Sequence, residues 1–303
     1  MISLPPTFFA HTRVAWEGAA GRAWAESLPS LVADLCGRWR LSVDGDVRHG
    51  AQGIAVPVCR GGEPYVLKVG WLDQDLRDQI VGLTLWDGRG TVRLEEVSAD
   101  DGALLLERLD ASRSLRTLDV HASLTVAAGL LRRLAVPVPA GDTRVRSLPT
   151  TAEAARGFAD SAAVRSAALG GAVPARVLDP ARRLAASLAD VGGDRLVDHD
   201  LHDDNVLAAE REPWLAIDPK VAVGAPEYAV APLLWWRLDE LADDADIRRC
   251  LDLVVGVAGL DPALARAWTV VRSVGYWLWG LENGLTIDPV RCARLVDALV
   301  AGA

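Results

Sequence analysis

The densest group of polar side chains in this 303-residue chain lies at residues 198–205. Its sequence is Asp198-His199-Asp200-Leu201-His202-Asp203-Asp204-Asn205. Asp200 could accept or orient the proton of a hydroxyl group, and Asn205 could give its side-chain oxygen to a metal ion. Asp218, after the apolar segment 214–217, supplies a second oxygen ligand. A carboxylate, an amide and a further carboxylate in this order are groups that Mg²⁺-assisted phosphoryl transfer requires.

Lysine is almost absent: only Lys68 and Lys220 occur among the 32 Lys and Arg residues. Because a compact ammonium and a planar guanidinium are not interchangeable in a tight site, we expect the two lysines where arginine would not serve. Lys68 lies in the apolar segment 65–69 and could contact the α- and β-phosphates of a nucleotide. Lys220 is predicted to contact either the substrate or a structural carboxylate.

The first hundred residues predict a mainly antiparallel sheet with an inserted helix. Gly50 and Gly53 precede a strand at a point where a loop would have to approach phosphate closely. The predicted helices are 20–38 and 73–86, and the predicted extended segments are 41–47, 54–59, 65–69, 92–97 and 103–108.

Beyond Glu107 the pattern becomes helical. Two short strands, 196–197 and 214–217, flank the polar segment, and 136–149 is predicted to be a loop. The predicted helices are 117–134, 150–170, 178–190, 230–242, 245–258, 262–282 and 288–301. We therefore predict an α+β fold with an ATP-binding lobe at 1–108 and a helical lobe at 109–303 that carries the catalytic loop and the substrate pocket.

The composition excludes several classes of function. No apolar run approaches the roughly 18–20 residues that span a bilayer, and residues 1–16 do not predict a secretion signal. The four cysteines, at 36, 59, 250 and 292, show no paired spacing and predict reduced thiols in a cytoplasmic protein. A net charge of −9 argues against nucleic acid or an anionic membrane as partner, and it is compatible with a cationic small-molecule substrate or with a simple role in solubility. We expect a monomer or a weak dimer.

The chain resembles the aminoglycoside phosphotransferases, in particular the branch of streptomycin 6-kinase and hydroxyurea phosphotransferase. The resemblance rests on segments 64–69, 85–94, 103–109, 200–207, 214–220 and 231–234. It implies a two-lobed, protein-kinase-like fold that uses ATP and Mg²⁺. It also implies that Asp200 is the catalytic carboxylate, that Asn205 and Asp218 bind magnesium, and that Lys68 contacts the ATP phosphates. The segment Leu106–Leu109 would be the hinge, and Glu107 and Leu109 would contact the adenine.

Three positions depart from the pattern of this family. His199 stands where the family has glycine, so we expect it to strain or reshape the loop. Gln79 stands where a glutamate pairs with the strand lysine; an amide can accept a hydrogen bond from an ammonium but cannot neutralise it. Ala229 follows Tyr228 where the family has aspartate.

The expected activity is transfer of phosphate from ATP to a hydroxyl group of a small molecule, plausibly streptomycin or a related aminoglycoside. Candidate polar contacts in the substrate pocket are Asp239, Glu240 and Glu282. Two alternatives stay open: a nucleotide-binding pseudokinase, and a kinase of another hydroxylated natural-product metabolite. A metallohydrolase built on the 198–205 segment would need further histidines, and the remaining ones, His11, His49 and His121, lie in no motif.

Overall fold

The computed structural model describes residues 2–10, 12–139 and 141–300. The chain divides into two compact units, Met1–Leu109 and Asp110–Ala303. This division lies one residue beyond the predicted end of the first lobe. His11, one of the histidines considered above, and residue 301 of the last predicted helix lie outside the described residues.

The first unit contains a six-stranded antiparallel sheet. Strands β3 (Gly53–Arg60) and β4 (Glu63–Gly70) form a hairpin, whose turn residues Gly61 and Gly62 both have positive φ, at 61° and 92°. The strand order is β1-β3-β4-β6-β5, with β2 paired to β3. The strands are β1 (Ser42–Val43), β2 (Arg48–His49), β3 (Gly53–Arg60), β4 (Glu63–Gly70), β5 (Leu94–Ser98) and β6 (Ala103–Glu107).

Three helices accompany this sheet: α1 (Arg13–Trp16), α2 (Gly18–Trp39) and α3 (Gln74–Trp86). The buried face of α2, including Leu28, Val32 and Leu35, belongs to the same core as the inward residues of β3 and β4. Asp73 caps α3 by accepting a hydrogen bond from the Leu76 amide, so the helix begins where an acceptor for its first amides is available. The α3 helix places Gln79 beside the sheet.

The second unit is mainly helical. Six of the seven predicted helices are confirmed, with ends shifted by up to three residues, but the helix predicted at 230–242 is wrong. It stops at Trp235, and a separate 3-10 turn covers Leu238–Glu240. The helices are α4 (Val120–Leu134), α5 (Thr151–Ala168), α6 (Ala175–Leu188), α7 (Val230–Trp235), α8 (Asp244–Ala258), α9 (Pro262–Glu282) and α10 (Asp288–Val300).

Five short strands lie among these helices, and three of them were not predicted. In one group β9 pairs with both β10 and β7; in the other, β8 pairs with β11, and all pairs are antiparallel. The strands are β7 (Asp110–Ser114), β8 (Arg195–Asp198), β9 (Val206–Ala208), β10 (Trp214–Ala216) and β11 (Val221–Gly224). Within the described part of the chain, no helix is both long and apolar enough to cross a bilayer.

Candidate active site

The β8–β11 pair sets the start of the polar loop. Its register places Asp198 opposite Val221, and the His199 amide donates to the Lys220 carbonyl at 2.9 Å. Oδ1 of Asp198 then accepts two backbone hydrogen bonds, from the Asp200 amide at 3.1 Å and from the Lys220 amide at 3.2 Å. One carboxylate oxygen therefore connects the backbone of the predicted catalytic residue to that of the second lysine.

The Asp198 carboxyl is buried, with 4% of the residue exposed. Its second oxygen, Oδ2, is buried and has no hydrogen-bond partner among the described residues. Burial raises the pKa of this carboxyl to about 8, and the nearby carboxylates of Asp200 and Asp218 add to the rise. A protonated, neutral Asp198 at neutral pH follows from these surroundings.

Asp200 is partly exposed, as a carboxylate that meets a substrate must be. Its Oδ2 lies 3.4 Å from the Lys220 ammonium, so the second lysine pairs with the predicted catalytic carboxylate. The sequence prediction for Lys220 was contact with the substrate or with a structural carboxylate, and its contact with substrate stays a prediction. Asn205 donates from Nδ2 to the Asp200 carbonyl at 3.0 Å, which fixes the Asn205 amide relative to the loop.

The β9–β10 hairpin brings together the two predicted metal ligands. Val206 pairs with Ala216, and the Ile217 amide donates to the Asn205 carbonyl at 2.8 Å. Asn205 immediately precedes β9, and Asp218 lies two residues after β10, so both are at the same end of the hairpin. Asp218 has φ of 51°, a conformation that costs a non-glycine residue about 1–3 kcal/mol and that clusters at functional sites.

This pair of side chains fits a magnesium ion. An amide oxygen and a carboxylate are hard oxygen donors, and Mg²⁺ commonly takes one or two such ligands and fills its remaining positions with phosphate and water. The hydrogen bond to the Asp200 backbone uses Nδ2 of Asn205, so it does not occupy the amide oxygen Oδ1. The two residues would hold the ion, which would neutralise charge on the phosphates.

Other residues of the loop have structural contacts. Nδ1 of His202 accepts from the Asp204 amide at 3.3 Å, and the His202 ring stacks on Trp236 at 4.4 Å. Burial lowers the pKa of His202, which favours the neutral form of this ring. Asp203 is buried, accepts from Ser123 Oγ at 2.6 Å and lies 3.2 Å from the Arg237 guanidinium.

His199 does not strain the loop, contrary to the expectation from the sequence. Among the described residues other than glycine, only Arg40, Asp87 and Asp218 have positive φ, so the backbone at 199 does not require a glycine. The His199 carbonyl accepts from Nη1 of Arg272 at 2.9 Å, and its ring packs on Tyr228 at 5.2 Å. Burial beside the cations Arg272 and Lys220 holds the pKa of His199 well below its usual range.

Sequence reasoning missed Arg272, which anchors the loop from α9. Its Nη1 also donates to the Tyr228 carbonyl at 2.9 Å, so it joins the residue before Asp200 to the segment before α7. Arg272 could not be selected from the sequence, because it is one of thirty arginines and neither its spacing nor its neighbours distinguish it.

The three acids predicted for the substrate pocket each pair with an arginine. Asp239 lies 2.7 Å from Nε of Arg291, Glu240 accepts from Arg237, and Glu282 accepts from Arg165 at 2.8 and 2.7 Å. These pairs give each acid a structural partner. Their contact with substrate stays a prediction.

In the first unit, the Lys68 ammonium donates to Oε1 of Gln79 at 2.8 Å. Gln79 thus occupies the predicted position of a partner for the strand lysine, and it is buried. Asp78 does not take this role, because its Oδ1 accepts from Gln74 at 2.7 Å; burial raises the pKa of its carboxyl. Lys68 is held by an amide, so its positive charge is not cancelled by this contact.

The other predicted nucleotide contacts lie around the same sheet. Gly53 is the first residue of β3 and not part of the preceding loop; it pairs with Gly70, and a Cβ there would lie 2.3 Å from the Val69 carbonyl oxygen. Gly50 faces open space. Glu107 ends β6 and its carboxylate accepts from the Arg93 amide at 3.1 Å, while Leu109 ends the first unit.

A family model described as "Aminoglycoside/hydroxyurea antibiotic resistance kinase" matches residues 38–284. The chain belongs to this kinase family. It is a small-molecule kinase, as the sequence predicted. Hydroxyurea phosphotransferase of Kitasatospora aureofaciens is 41% identical, over 98% of this chain and 86% of that protein. Streptomycin 6-kinase of Streptomyces glaucescens is 40% identical, over 93% of this chain and 92% of that protein.

Solved structures confirm the kinase-like fold. A thermostable mutant of aminoglycoside phosphotransferase APH(4)-Ia, in ternary complex with ADP and hygromycin B, has a TM-score of 0.62 at 18% identity, over 89% of this chain and 98% of that one. Choline kinase LicA of Streptococcus pneumoniae has a TM-score of 0.57 at 13% identity, over 90% of this chain and 98% of that one. At these identities the likeness concerns the fold alone.

Family membership also removes the metallohydrolase alternative, and the described histidines agree. His49 bonds to Thr7 at 2.8 Å within the first unit, and within the second unit His121 bonds to Asp246 at 3.3 Å, outside the 198–205 segment. The third departure is explained by packing, because Ala229 is fully buried and an aspartate there would bring a charge into the core.

Proposed function

We propose that this kinase transfers the γ-phosphate of ATP to a hydroxyl group of streptomycin or a related aminoglycoside. The observation that carries the proposal is the hairpin end at which Asn205 and Asp218 come together, with Asn205 bonded to the Asp200 backbone. The carboxylates of Asp200 and Asp218 and the amide of Asn205 are the kinds of group that phosphoryl transfer uses. The similarity to streptomycin 6-kinases, at 40% and 38% identity, supports the acceptor.

Each side chain then has a distinct task. Asp200 orients the acceptor hydroxyl and takes its proton as the bond to phosphorus forms, while Lys220 beside it holds the carboxylate in place. Asn205 and Asp218 hold Mg²⁺, which supplies positive charge to the phosphates. Lys68 contacts the α- and β-phosphates, and its partner Gln79 is an amide, which accepts a hydrogen bond without carrying a negative charge.

Hydroxyurea is a second candidate acceptor, because the chain is as similar to a hydroxyurea phosphotransferase, at 41%, as to the streptomycin kinases. It is small and uncharged, whereas streptomycin is a polycation. The net charge of −9 favours the cationic acceptor.

The test is release of ADP from ATP and Mg²⁺ with streptomycin, hydroxyurea and a panel of other aminoglycosides. We expect transfer to streptomycin, and we expect Asp200→Asn to reduce kcat by at least about 100-fold while the affinity for nucleotide stays within about 2-fold. Asp204→Asn is the matched control, since Asp204 is exposed and pairs with Arg116 at 2.8 Å.

Nucleotide binding without turnover on any acceptor would favour the pseudokinase. Turnover on hydroxylated metabolites alone would favour the natural-product kinase. Full activity in Asp200→Asn would show that another group handles the proton.

We further propose a cytoplasmic location and a monomeric or weakly dimeric state. The four cysteines are all free thiols, as suits a reducing compartment. Size-exclusion chromatography with light scattering tests the oligomeric state.

A further inference from the structure

Three side chains with metal-binding atoms come together where α4 packs on α8. His121 lies in the first turn of α4, and Asp246 and Cys250 lie one turn apart on the same face of α8. A ring nitrogen, a carboxylate oxygen and the sulfur of these residues all lie within 4.8 Å of one another. Within the described part of the chain, this is the one group of three such side chains at this spacing.

The distances are close to those of a zinc site. With bonds of about 2.0–2.1 Å to nitrogen and oxygen and about 2.3 Å to sulfur, the ligand atoms of a tetrahedral zinc ion lie roughly 3.3–3.6 Å apart. Nε2 of His121 is 3.3 Å from Oδ1 of Asp246, so these two atoms already have that separation. No pair in the group exceeds 4.8 Å, so the site closes with movements on the order of 1 Å.

The types of ligand favour zinc over the magnesium of a kinase reaction. Imidazole and thiolate suit zinc, whereas magnesium prefers hard oxygen ligands. The Asp246 carboxylate is oriented by the Ala242 amide, which donates to Oδ2 at 3.2 Å and so leaves Oδ1 directed at His121. Cys250 is fully buried, while the His121 side chain is 52% exposed, so water can reach a fourth position on the ion.

Two groups compete with a metal ion here. Nη2 of Arg249 donates to Oδ1 of Asp246 at 3.1 Å, but the Arg249 side chain is 64% exposed and can move into water when a dication takes its place. Burial and the Asp246 carboxylate raise the pKa of the Cys250 thiol to about 11, so the sulfur carries its proton until a metal ion displaces it.

We propose that His121, Asp246 and Cys250 bind a zinc ion through Nε2, Oδ1 and Sγ, with water as the fourth ligand. The thiol proton passes to the solvent as the Zn–S bond forms, and His121 keeps its ring proton on Nδ1. Ser123 of α4 donates to Asp203 at 2.6 Å, so the ion would fasten to α8 the helix that supports the polar loop. The site needs neither ATP nor an acceptor, so it is independent of the proposed function.

Cobalt is the spectroscopic probe for this site. The full chain is freed of metal with EDTA, kept reduced with a phosphine and titrated with Co²⁺ without oxygen. We expect a thiolate-to-cobalt charge-transfer band and the strong visible bands of a four-coordinate ion, both abolished by equimolar Zn²⁺ and unaffected by excess Mg²⁺. Cobalt bound at Asn205 and Asp218 would have oxygen ligands and would lack the charge-transfer band. Absence of that band would overturn the proposal.

Cys250→Ala identifies the sulfur. Cys292→Ala is the matched control, because Cys292 is also a fully buried free thiol but lies on α10, outside the group. We expect the charge-transfer band to disappear in Cys250→Ala and to stay in Cys292→Ala. A band that persists in Cys250→Ala would assign the thiolate to another cysteine and refute the site.

His121→Ala tests the site without changing the core, because this side chain is exposed. We expect the Kd for zinc to rise at least about 10-fold and the zinc-dependent increase in the midpoint of urea unfolding to be lost. His49→Ala, which removes a histidine of the first unit, should keep both. Unchanged zinc affinity in His121→Ala would contradict the proposal even if Cys250→Ala fails to fold.

Arg249→Ala should act in the opposite direction. It removes the cation that competes for Oδ1 of Asp246, so we expect zinc to bind at least about 3-fold more tightly. A variant that only loosened α8 would bind zinc more weakly. Unchanged or weaker binding in Arg249→Ala would show that Oδ1 of Asp246 is not a ligand.

Discussion

The ionisation of the buried Asp198 carboxyl makes the stability of the protein depend on pH. Its pKa is raised from 3.8 to about 8, so the carboxyl is mostly protonated in the folded protein below about pH 8. When the pKa of a group is higher in the folded state, its contribution to stability is fully present below the unfolded-state pKa. That contribution is lost as the pH rises through the folded-state pKa. Between pH 6.5 and 8.5 we expect the free energy of unfolding of the metal-free protein to fall by about 2 kcal/mol, with a slope of roughly 1.4 kcal/mol per pH unit at pH 6.5 that flattens as the pH passes the folded pKa.

Asp198→Asn should remove this slope. Asparagine keeps Oδ1 as the acceptor for the amides of Asp200 and Lys220, but it does not ionise. Urea unfolding of both proteins across that range measures the difference, and the low pKa of His199 and His202 keeps them from titrating within it. Parallel pH profiles for the two proteins would contradict a buried, protonated Asp198.

Lys68→Arg tests why lysine was kept in a chain that otherwise uses arginine. The Lys68 ammonium fits within 2.8 Å of the buried Gln79 oxygen, and a guanidinium is larger, planar and differently directed. We expect the KM for ATP to rise at least about 10-fold, equivalent to about 1.4 kcal/mol, although the charge is unchanged. The control is the reverse type of substitution, Arg77→Lys, on the exposed face of α3. It should leave the KM for ATP within about 2-fold.

The sequence allows candidate site residues to be chosen, but it does not reveal their hydrogen-bond partners. Asn205 and Asp218 could be selected as candidate metal ligands from the sequence alone, because asparagine is scarce in this chain and Asp218 follows an apolar strand. The double acceptor role of Asp198 depends on the register of β8 and β11, and β11 was not predicted. Strain was expected at His199, but the positive φ lies at Asp218, two residues after β10.

At the scale of elements, Gly50 and Gly53 lie near the start of β3 but differ in how much space a side chain would have. At Gly53 a Cβ would lie 2.3 Å from the Val69 oxygen and 2.7 Å from the Gly70 Cα, both backbone atoms that cannot move without opening the β3–β4 pair. We expect Gly53→Ala to lower the free energy of unfolding by at least about 2 kcal/mol, as a clash in a packed sheet does. Urea denaturation measures this loss.

Gly50→Ala is the partner experiment, because a Cβ there meets nothing within 4 Å. We expect its stability to change by less than about 0.5 kcal/mol. If Gly50 approaches phosphate as proposed, the same variant should still raise the KM for ATP. Equal stability of the two alanine variants would show that β3 and β4 tolerate a side chain at Gly53.

Helices were predicted more accurately than short strands, for a physical reason. The helices α8 and α9 have a long apolar period and an aspartate at each N-terminus, Asp243 and Asp261, that accepts a hydrogen bond from the first turn. The helix predicted at 230–242 ends early at Trp235, and Arg237 after it donates to the Leu118 carbonyl and to Glu240. Those are tertiary contacts, which a local apolar pattern does not contain.

For the whole molecule, charge is the property that bears on the acceptor. The chain carries −9 at pH 7, while many of its arginines, including Arg165 and Arg237, are paired with acids. The uncompensated charge is therefore negative, and its field attracts a polycation over distances comparable with the Debye length, about 10 Å at 0.1 M salt and 3 Å at 1 M. Encounter with streptomycin should be favoured at low salt.

We expect kcat/KM for streptomycin, at saturating ATP and Mg²⁺, to fall at least about 5-fold as NaCl rises from about 0.05 to 0.5 M, with most of the change in KM. Hydroxyurea is the control acceptor, because it has no charge for the field to act on, so its kcat/KM should change by less than about 2-fold. Any effect of salt on nucleotide binding or on folding would appear with both acceptors. A salt dependence that is the same for the two would mean that the acidic surface does not steer the acceptor, and the cationic class of substrate would lose its electrostatic support.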